Sequence, residues 1–233
     1  VAESSFDPQA ITDNYSSLIA AAIFEPLYTY DYFALPAKLV PAAADGMPEV
    51  SADLSTYTIR VKKGQRFTDD PAFGGKPREL TAQDYVYSWK RLLDPKVRSY
   101  FVHVFENRLV GADEAIAKAR KSGRFDYDAP IEGLAAVDRY TIRVKFNQPY
   151  FGFRHWLTTV TMAPVAREVI EKYGDASNRV AEHPVGTGPY RLAEWRRSQR
   201  IVLESNPAWR DVRYPAPSAP EDAPIAKGLT GRR

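Results

Sequence analysis

The chain has 233 residues, no cysteine, 44% hydrophobic and 26% charged residues, and a formal net charge of +3. Its length suffices for one large or two small domains with a substantial core. The lack of cysteine excludes disulfides, thiolate zinc sites, iron–sulfur clusters and a cysteine nucleophile, and the small net charge speaks against a dedicated polyanion binder.

No run of eighteen apolar residues occurs, so no transmembrane helix is predicted. The sequence also opens without a charged and hydrophobic leader, as expected of a cytosolic protein or of one whose signal peptide has been removed. Fourteen tyrosines and four tryptophans supply ring area and hydrogen-bonding tips of the kind used to recognise varied small ligands.

In chain order, Thr12 to Ile23 reads as a helix capped by Thr12 or Asp13, with Tyr15, Leu18, Ile19, Ala22 and Ile23 as one apolar stripe. Phe24-Glu25-Pro26-Leu27-Tyr28 ends it, because proline disfavours helix at the residue before it. Pro36 to Pro48 is rich in alanine, proline and glycine and reads as a connection. Tyr57 to Lys62 alternates, with Tyr57, Ile59 and Val61 on one face, and reads as a half-buried strand. Thr81-Ala82-Gln83-Asp84 opens a second helix as a capping box with aspartate in the glutamate position, and Ala82, Tyr85, Val86, Trp89, Leu92 and Leu93 follow at helical spacing. Asp94-Pro95 stops that run.

Tyr140 to Lys145 repeats Tyr57 to Lys62 letter for letter. The flanks differ, so two strands meeting the same half-exposed requirement explain this better than an internal duplication. Pro164 to Tyr173 reads as a short helix with Gly174 as its stop. His183-Pro184-Val185-Gly186-Thr187-Gly188-Pro189-Tyr190 is a turn in which glycine permits positive φ and proline locks φ. Such a turn suits a main chain that must approach something closely. From Pro215 to Arg233 the proline-rich text reads as an extended linker.

Catalytic constellations are missing from this pattern. His103, His155 and His183 lie far apart and outside metal-ligand spacing, so no metal site is assigned. Gly186-Thr187-Gly188 begins like a dinucleotide loop, but Arg191 stands at the third glycine position. Asp69-Asp70 and Asp126 with Asp128 sit in polar loop text and read as solvated acids. The basic cluster Arg196, Arg197, Arg200, Arg210 and Arg213 reads as a solvated edge that discourages strand pairing. No enzyme, cofactor or nucleic-acid role is expected.

Taken together, Phe6-Asp7-Pro8, Phe24 to Tyr28, Tyr57 to Phe67, Leu80 to Arg91, Asp138-Arg139-Tyr140, Gly186 to Tyr190, Ile201 to Glu204 and Asn206-Pro207 give a resemblance. The chain resembles the amino-terminal part of a family 5 extracellular solute-binding protein, the oligopeptide- and dipeptide-binding group that serves ABC importers. The landmarks occur in family order and cover residues 6 to 211. Departures are the five residues before Phe6, where relatives carry a strand, Pro26 in place of a common glycine, and Ser205 in place of a common arginine or lysine.

The resemblance implies an α/β fold: the first lobe of a bilobal periplasmic-binding-protein fold with an inserted α/β domain, the second lobe being absent from this chain. Residues 1–46 and 176–214 would form lobe one, 47–175 the inserted domain and 215–233 the linker toward the second lobe. It also implies a periplasmic or other extracytoplasmic bacterial subunit that passes peptides to a membrane permease. Another small solute (a metal chelate, haem or an oligosaccharide), or a role as a sensor or protein-interaction module on the same scaffold, is the alternative. By resemblance, ligand contacts fall to Glu25, Pro26, Leu27, Tyr28, Tyr100, Gly186, Thr187, Gly188 and Tyr190.

Overall fold

The computed structural model describes residues 3–210, 212 and 220–228. Helix α1 (Asn14–Ile23) begins at Asp13, whose carboxylate accepts the Ser16 N–H at 2.8 Å. Its inward face differs from the predicted stripe: Ser16, Ala20 and Ile23 are buried, while Tyr15 and Leu18 are 59% and 72% exposed. Ser16 turns inward because its hydroxyl is fully engaged, giving a hydrogen bond to Asp13 and accepting the Ser4 N–H. A buried but satisfied serine carries no hydrophobic signal.

After α1 the chain forms β1 (Tyr28–Tyr30), which pairs antiparallel with β2 (Leu39–Pro41). The stretch expected to be only a connection therefore holds a strand, placed where Pro41 at its end costs little. A four-stranded antiparallel sheet follows, built from β3 (Glu49–Val50), β4 (Thr56–Arg60), β5 (Leu134–Asp138) and β6 (Thr141–Lys145) in the order β3-β4-β6-β5. The two copies of the hexapeptide are neighbours in this sheet, with Ile59 opposite Ile142. Tyr57, Ile59, Val61, Ile142 and Val144 point into the core as the alternation requires.

Helix α2 (Ala82–Leu93) lies against β5 and β6 and buries every residue except Gln83. Its start matches the expected cap: the Asp84 carboxylate accepts the Thr81 N–H at 2.8 Å and the Thr81 hydroxyl at 2.9 Å. Two cations on this helix are buried with partners. Lys90 donates to the Tyr127 and Ala129 carbonyls, each at 2.8 Å. Arg91 forms a fully buried pair with Asp7 and also reaches Gln9 and the Asn178 carbonyl. Asp7 in turn accepts the Val180 N–H, and the Phe6 N–H donates to the Ala181 carbonyl. The chain start is thus tied to residues 178–181 and to α2 at once.

Helix α3 (Ala112–Ser122) and strand β5 carry no strong period and escaped the sequence reading. A single turn, α4 (Phe153–Trp156), precedes α5 (Arg167–Tyr173). The latter starts three residues after Pro164, because its N-cap Ala166 is extended and the Val165 N–H donates to the Ser88 hydroxyl instead of entering a helix. Gly174 ends α5 in an extended rather than left-handed conformation. A side chain there would run into the Ile170 carbonyl.

Strands β7 (Tyr190–Arg196) and β8 (Arg200–Ser205) form an antiparallel hairpin against α1. Residues 220–228, expected to be extended linker, instead hold a 3-10 turn at Pro220–Asp222 and a short helix, α6 (Ala223–Gly228). The remainder of the expected linker lies outside the described residues.

Candidate functional site

The Gly-Thr-Gly-Pro turn packs on the C-terminal end of α1. The Gly188 N–H donates to the Ile23 carbonyl at 2.8 Å, and the Gly186 carbonyl accepts from the Thr68 N–H at 2.9 Å. A Cβ on Gly188 would lie 2.7 Å from the Ile23 carbonyl carbon, and one on Gly186 would strike the Ile23 carbonyl oxygen. Neither glycine has positive φ. The expected backbone freedom is not what the turn uses. Close approach is, and the neighbour approached is the protein's own helix. Thr187 is 3% exposed, its hydroxyl oxygen buried without a partner among the described residues.

Next to this contact opens a cavity of about 460 Å³, walled by residues that follow α1 and by residues that follow the turn. Glu25 and Pro26 line one side, Pro189 and Tyr190 another, with Val40 and Pro41 of β2 and Trp209 completing an apolar and aromatic surround. Glu25 is 9% exposed. Its carboxylate is gripped from both oxygens by the Arg210 guanidinium, which also donates to Gln65 at 3.2 Å and to the Ala42 carbonyl at 3.1 Å. Lys62 enters the same cavity and donates to the Ala42 carbonyl at 2.7 Å. Burial, and secondarily the Arg210 charge, lower its pKa from the ordinary lysine value. The arrangement is a mixed pocket of neutralised and solvated charge with aromatic edges, of a kind that can hold a small solute.

Of the predicted contacts, Glu25, Pro26 and Tyr190 line this cavity. Leu27 and Tyr28 are buried in the core: Leu27 accepts the Ala42 and Ala44 N–H groups, and the Tyr28 hydroxyl donates to the Gly46 carbonyl at 3.2 Å. Burial pushes the Tyr28 hydroxyl well above the usual tyrosine range. Tyr100 stands apart, 69% exposed on a 3-10 turn, with its ring edge-on to Phe101 and His103. Trp156 joins that aromatic surface at 5.4 Å from His103.

Sequence reasoning missed Lys62, Trp209 and Arg210 as cavity residues. Arg210 had been grouped with a solvated edge, yet it is three-quarters buried and neutralised by Glu25, 185 positions away. Within the rest of that edge, Arg196 and Arg200 pair with Glu194, and Arg197 with Glu182. Arg213 lies outside the described residues. Asp70 also departs from its reading as a solvated acid, since its side chain is only 6% exposed. Burial opposes its ionisation, but hydrogen bonds from His183 at 2.8 Å, Ala72 N–H and Tyr173 hold its carboxyl below the usual range. Among the described residues there is no cluster of three acids or histidines placed to hold a metal ion, and no helix is long and apolar enough to cross a membrane.

The fold and the match to a family profile place the chain in a class of solute-binding proteins. Residues 38–221 match the profile of the bacterial extracellular solute-binding proteins, family 5 Middle, and the chain belongs to that family. It is 31% identical over 208 residues to the periplasmic oligopeptide-binding protein OppA of Escherichia coli K12, covering 88% of this chain and 34% of that protein. It is 28% identical to YgiS of the same organism, described as a probable deoxycholate-binding periplasmic protein, covering 97% of this chain and 39% of the relative. Among solved structures, Haemophilus influenzae OppA in complex with RPPGFSPFR superposes with a TM-score of 0.71 at 30% identity, over 89% of this chain and 37% of that one. The chain therefore spans between a third and two fifths of the length of these relatives. Its described residues form part of one lobe of the periplasmic peptide-binding fold.

Proposed function

We propose that this chain is part of the solute-binding subunit of an ABC importer, which captures peptides outside the cytoplasmic membrane and delivers them to a membrane permease. The observation that carries this reading is the likeness to oligopeptide-binding relatives along 88% and more of the chain. All of the reported relatives are binding proteins, in keeping with a role that involves no catalysis.

The expected division of the chain has structural support. The four-stranded sheet draws only on residues 49–145, whereas residues 6–7 bond to 180–181 and α1 bonds to residue 188. We assign residues 1–46 and 176–214 to lobe one and 47–175 to the inserted domain. On this reading Glu25, Pro26 and Tyr190 form one wall of the solute cleft, Leu27, Tyr28, Gly186, Thr187 and Gly188 hold that wall in place, and Tyr100, which lies outside the cavity, is not assigned to it. The opposing wall belongs to a second lobe, which closes on the solute by hinge motion.

Thermal unfolding of the longer protein that contains this chain, measured against a library of short peptides, tests the reading. A ligand of the native state raises Tm by mass action, by about 2.7 kcal/mol of stabilisation at a hundredfold excess over Kd. A flat response across the library rejects peptides as the solute. The 28%-identical relative described as deoxycholate-binding favours one second reading, an amphipathic carboxylate as solute. Deoxycholate in the same assay separates the two.

A further inference from the structure

Antiparallel pairing of a sequence with its own copy, about equivalent residues, is two-fold symmetric. That is the arrangement of β4 and β6: Ile59 faces Ile142, Tyr57 faces Val144, Thr58 faces Arg143 and Arg60 faces Thr141. The symmetry extends to Val61, whose N–H donates to the Tyr140 carbonyl at 2.7 Å. If β4 of one chain lay against β4 of another in the same register, every one of these pairs would recur. Isoleucine would meet isoleucine, tyrosine valine and threonine arginine, with the same side chains facing inward. The same holds for β6 against β6. Cross-strand pairs and ladder hydrogen bonds set strand choice locally, and here they do not distinguish the native partner from a second copy.

We infer that this hexapeptide is a self-complementary pairing surface whose partner is a second copy of this chain, engaged while the sheet is forming. The two native strands are separated by α2, α3 and their loops, and long-range closure is slow compared with local events. In that interval an unpaired β4 is open to a like strand, the usual route to strand exchange in repeated sequences. Both strands are interior to the finished sheet, so exchange belongs to folding and not to the folded monomer. The native choice rests on the surroundings. Tyr57 packs edge-on to Phe153 at 5.1 Å and donates to the Tyr150 carbonyl at 2.7 Å, while the Tyr140 hydroxyl donates to Glu79 at 2.8 Å.

Refolding the full chain from denaturant at increasing protein concentration, followed by size-exclusion chromatography with light scattering, tests the inference. A dimer fraction that rises with concentration is expected, and wild-type protein that refolds only to monomer throughout overturns it. The combined substitution Thr58→Lys, Asp138→Asn, Thr141→Glu and Arg143→Glu sets unlike charges opposite each other in β4–β6 and like charges opposite each other in both self-pairs, the change at Asp138 removing the like charge that a carboxylate at position 141 would otherwise face. Glu49, which faces residue 58 and pairs with Arg60 at 2.6 Å, keeps attractive neighbours. This variant is expected to cut the dimer fraction by about threefold or more with an unchanged monomer circular dichroism spectrum. An equal dimer fraction overturns the proposal. Independently, Ile59→Cys in this cysteine-free chain should cross-link the dimer on oxidation, because the two copies of residue 59 face each other. Ile142→Cys, made separately, reports the β6–β6 pair in the same way, and dimers that cross-link in neither variant would arise elsewhere and also overturn it.

Discussion

A Cβ added at Gly188 would sit 2.7 Å from the Ile23 carbonyl carbon, and the two segments there are already joined by a 2.8 Å hydrogen bond. Gly188→Ala is therefore expected to lower unfolding stability by about 3 kcal/mol, at the upper end of overpacking costs. Urea denaturation reads this directly, and a loss below about 1 kcal/mol would show that α1 shifts freely. The fully buried Asp7–Arg91 pair makes a second case. Asp7→Ala strands the guanidinium without its counter-charge and should cost about 3–5 kcal/mol, far more than a surface ion pair. A pH effect follows from Glu79, whose carboxyl is held down to about 2, first by the Arg139 hydrogen bond and then by those of Tyr140 and the Gly64 N–H. Because the folded pKa lies below the unfolded one, this stabilisation is complete above about pH 4.5 and disappears as pH falls toward 2. Glu79→Gln should flatten that part of the stability–pH profile, and an unchanged acid limb would refute the assignment.

Helix α2 shows how local signals and tertiary contacts combine. Asp84 caps Thr81 and also receives Arg78, whose Nη2 lies 2.7 Å from its Oδ1 and whose Nε lies 2.7 Å from Glu168. Thr81→Ala should cost about 1 kcal/mol as a lost cap interaction. Asp84→Ala should cost clearly more, because it removes the cap and leaves a half-buried guanidinium with one partner fewer. Equal losses in chemical denaturation would mean that the Arg78 bridge contributes nothing. This helix and strands β4 and β6 were legible because each is long enough to show its period. Strands β1, β2 and β3, of two or three residues, are too short to show one. The inward face of α1 was misread because it is built from Ser16 and Ala20, residues that are small or polar and yet buried. The cavity's Glu25–Arg210 pair left no local trace at all, since its members meet only through the fold.

For the molecule as a whole, the order of landmarks from Phe6 to Pro207 made the family readable from sequence, and the family profile and the solved relatives bear it out. The candidate cavity was only partly readable, since of the expected contacts Glu25, Pro26 and Tyr190 converge on it while Tyr100 occupies another surface. On the proposed two-lobed reading, residues 1–233 by themselves should bind short peptides with a Kd weaker than about 1 μM, because one wall leaves most of a ligand in water. Submicromolar binding in calorimetry would refute that division of labour. If the cavity holds solute as proposed, the backbone junction at Ile23, Gly186 and Gly188 bears on selectivity. The cavity's two flanks are clasped main chain to main chain, with no side chain between them to act as a shim. Rotamer changes cannot alter the gauge between those flanks, and a wider solute would have to be accommodated from the open side. On the proposed reading the junction is a fixed jaw, and the range of solutes admitted is set by whatever closes against it.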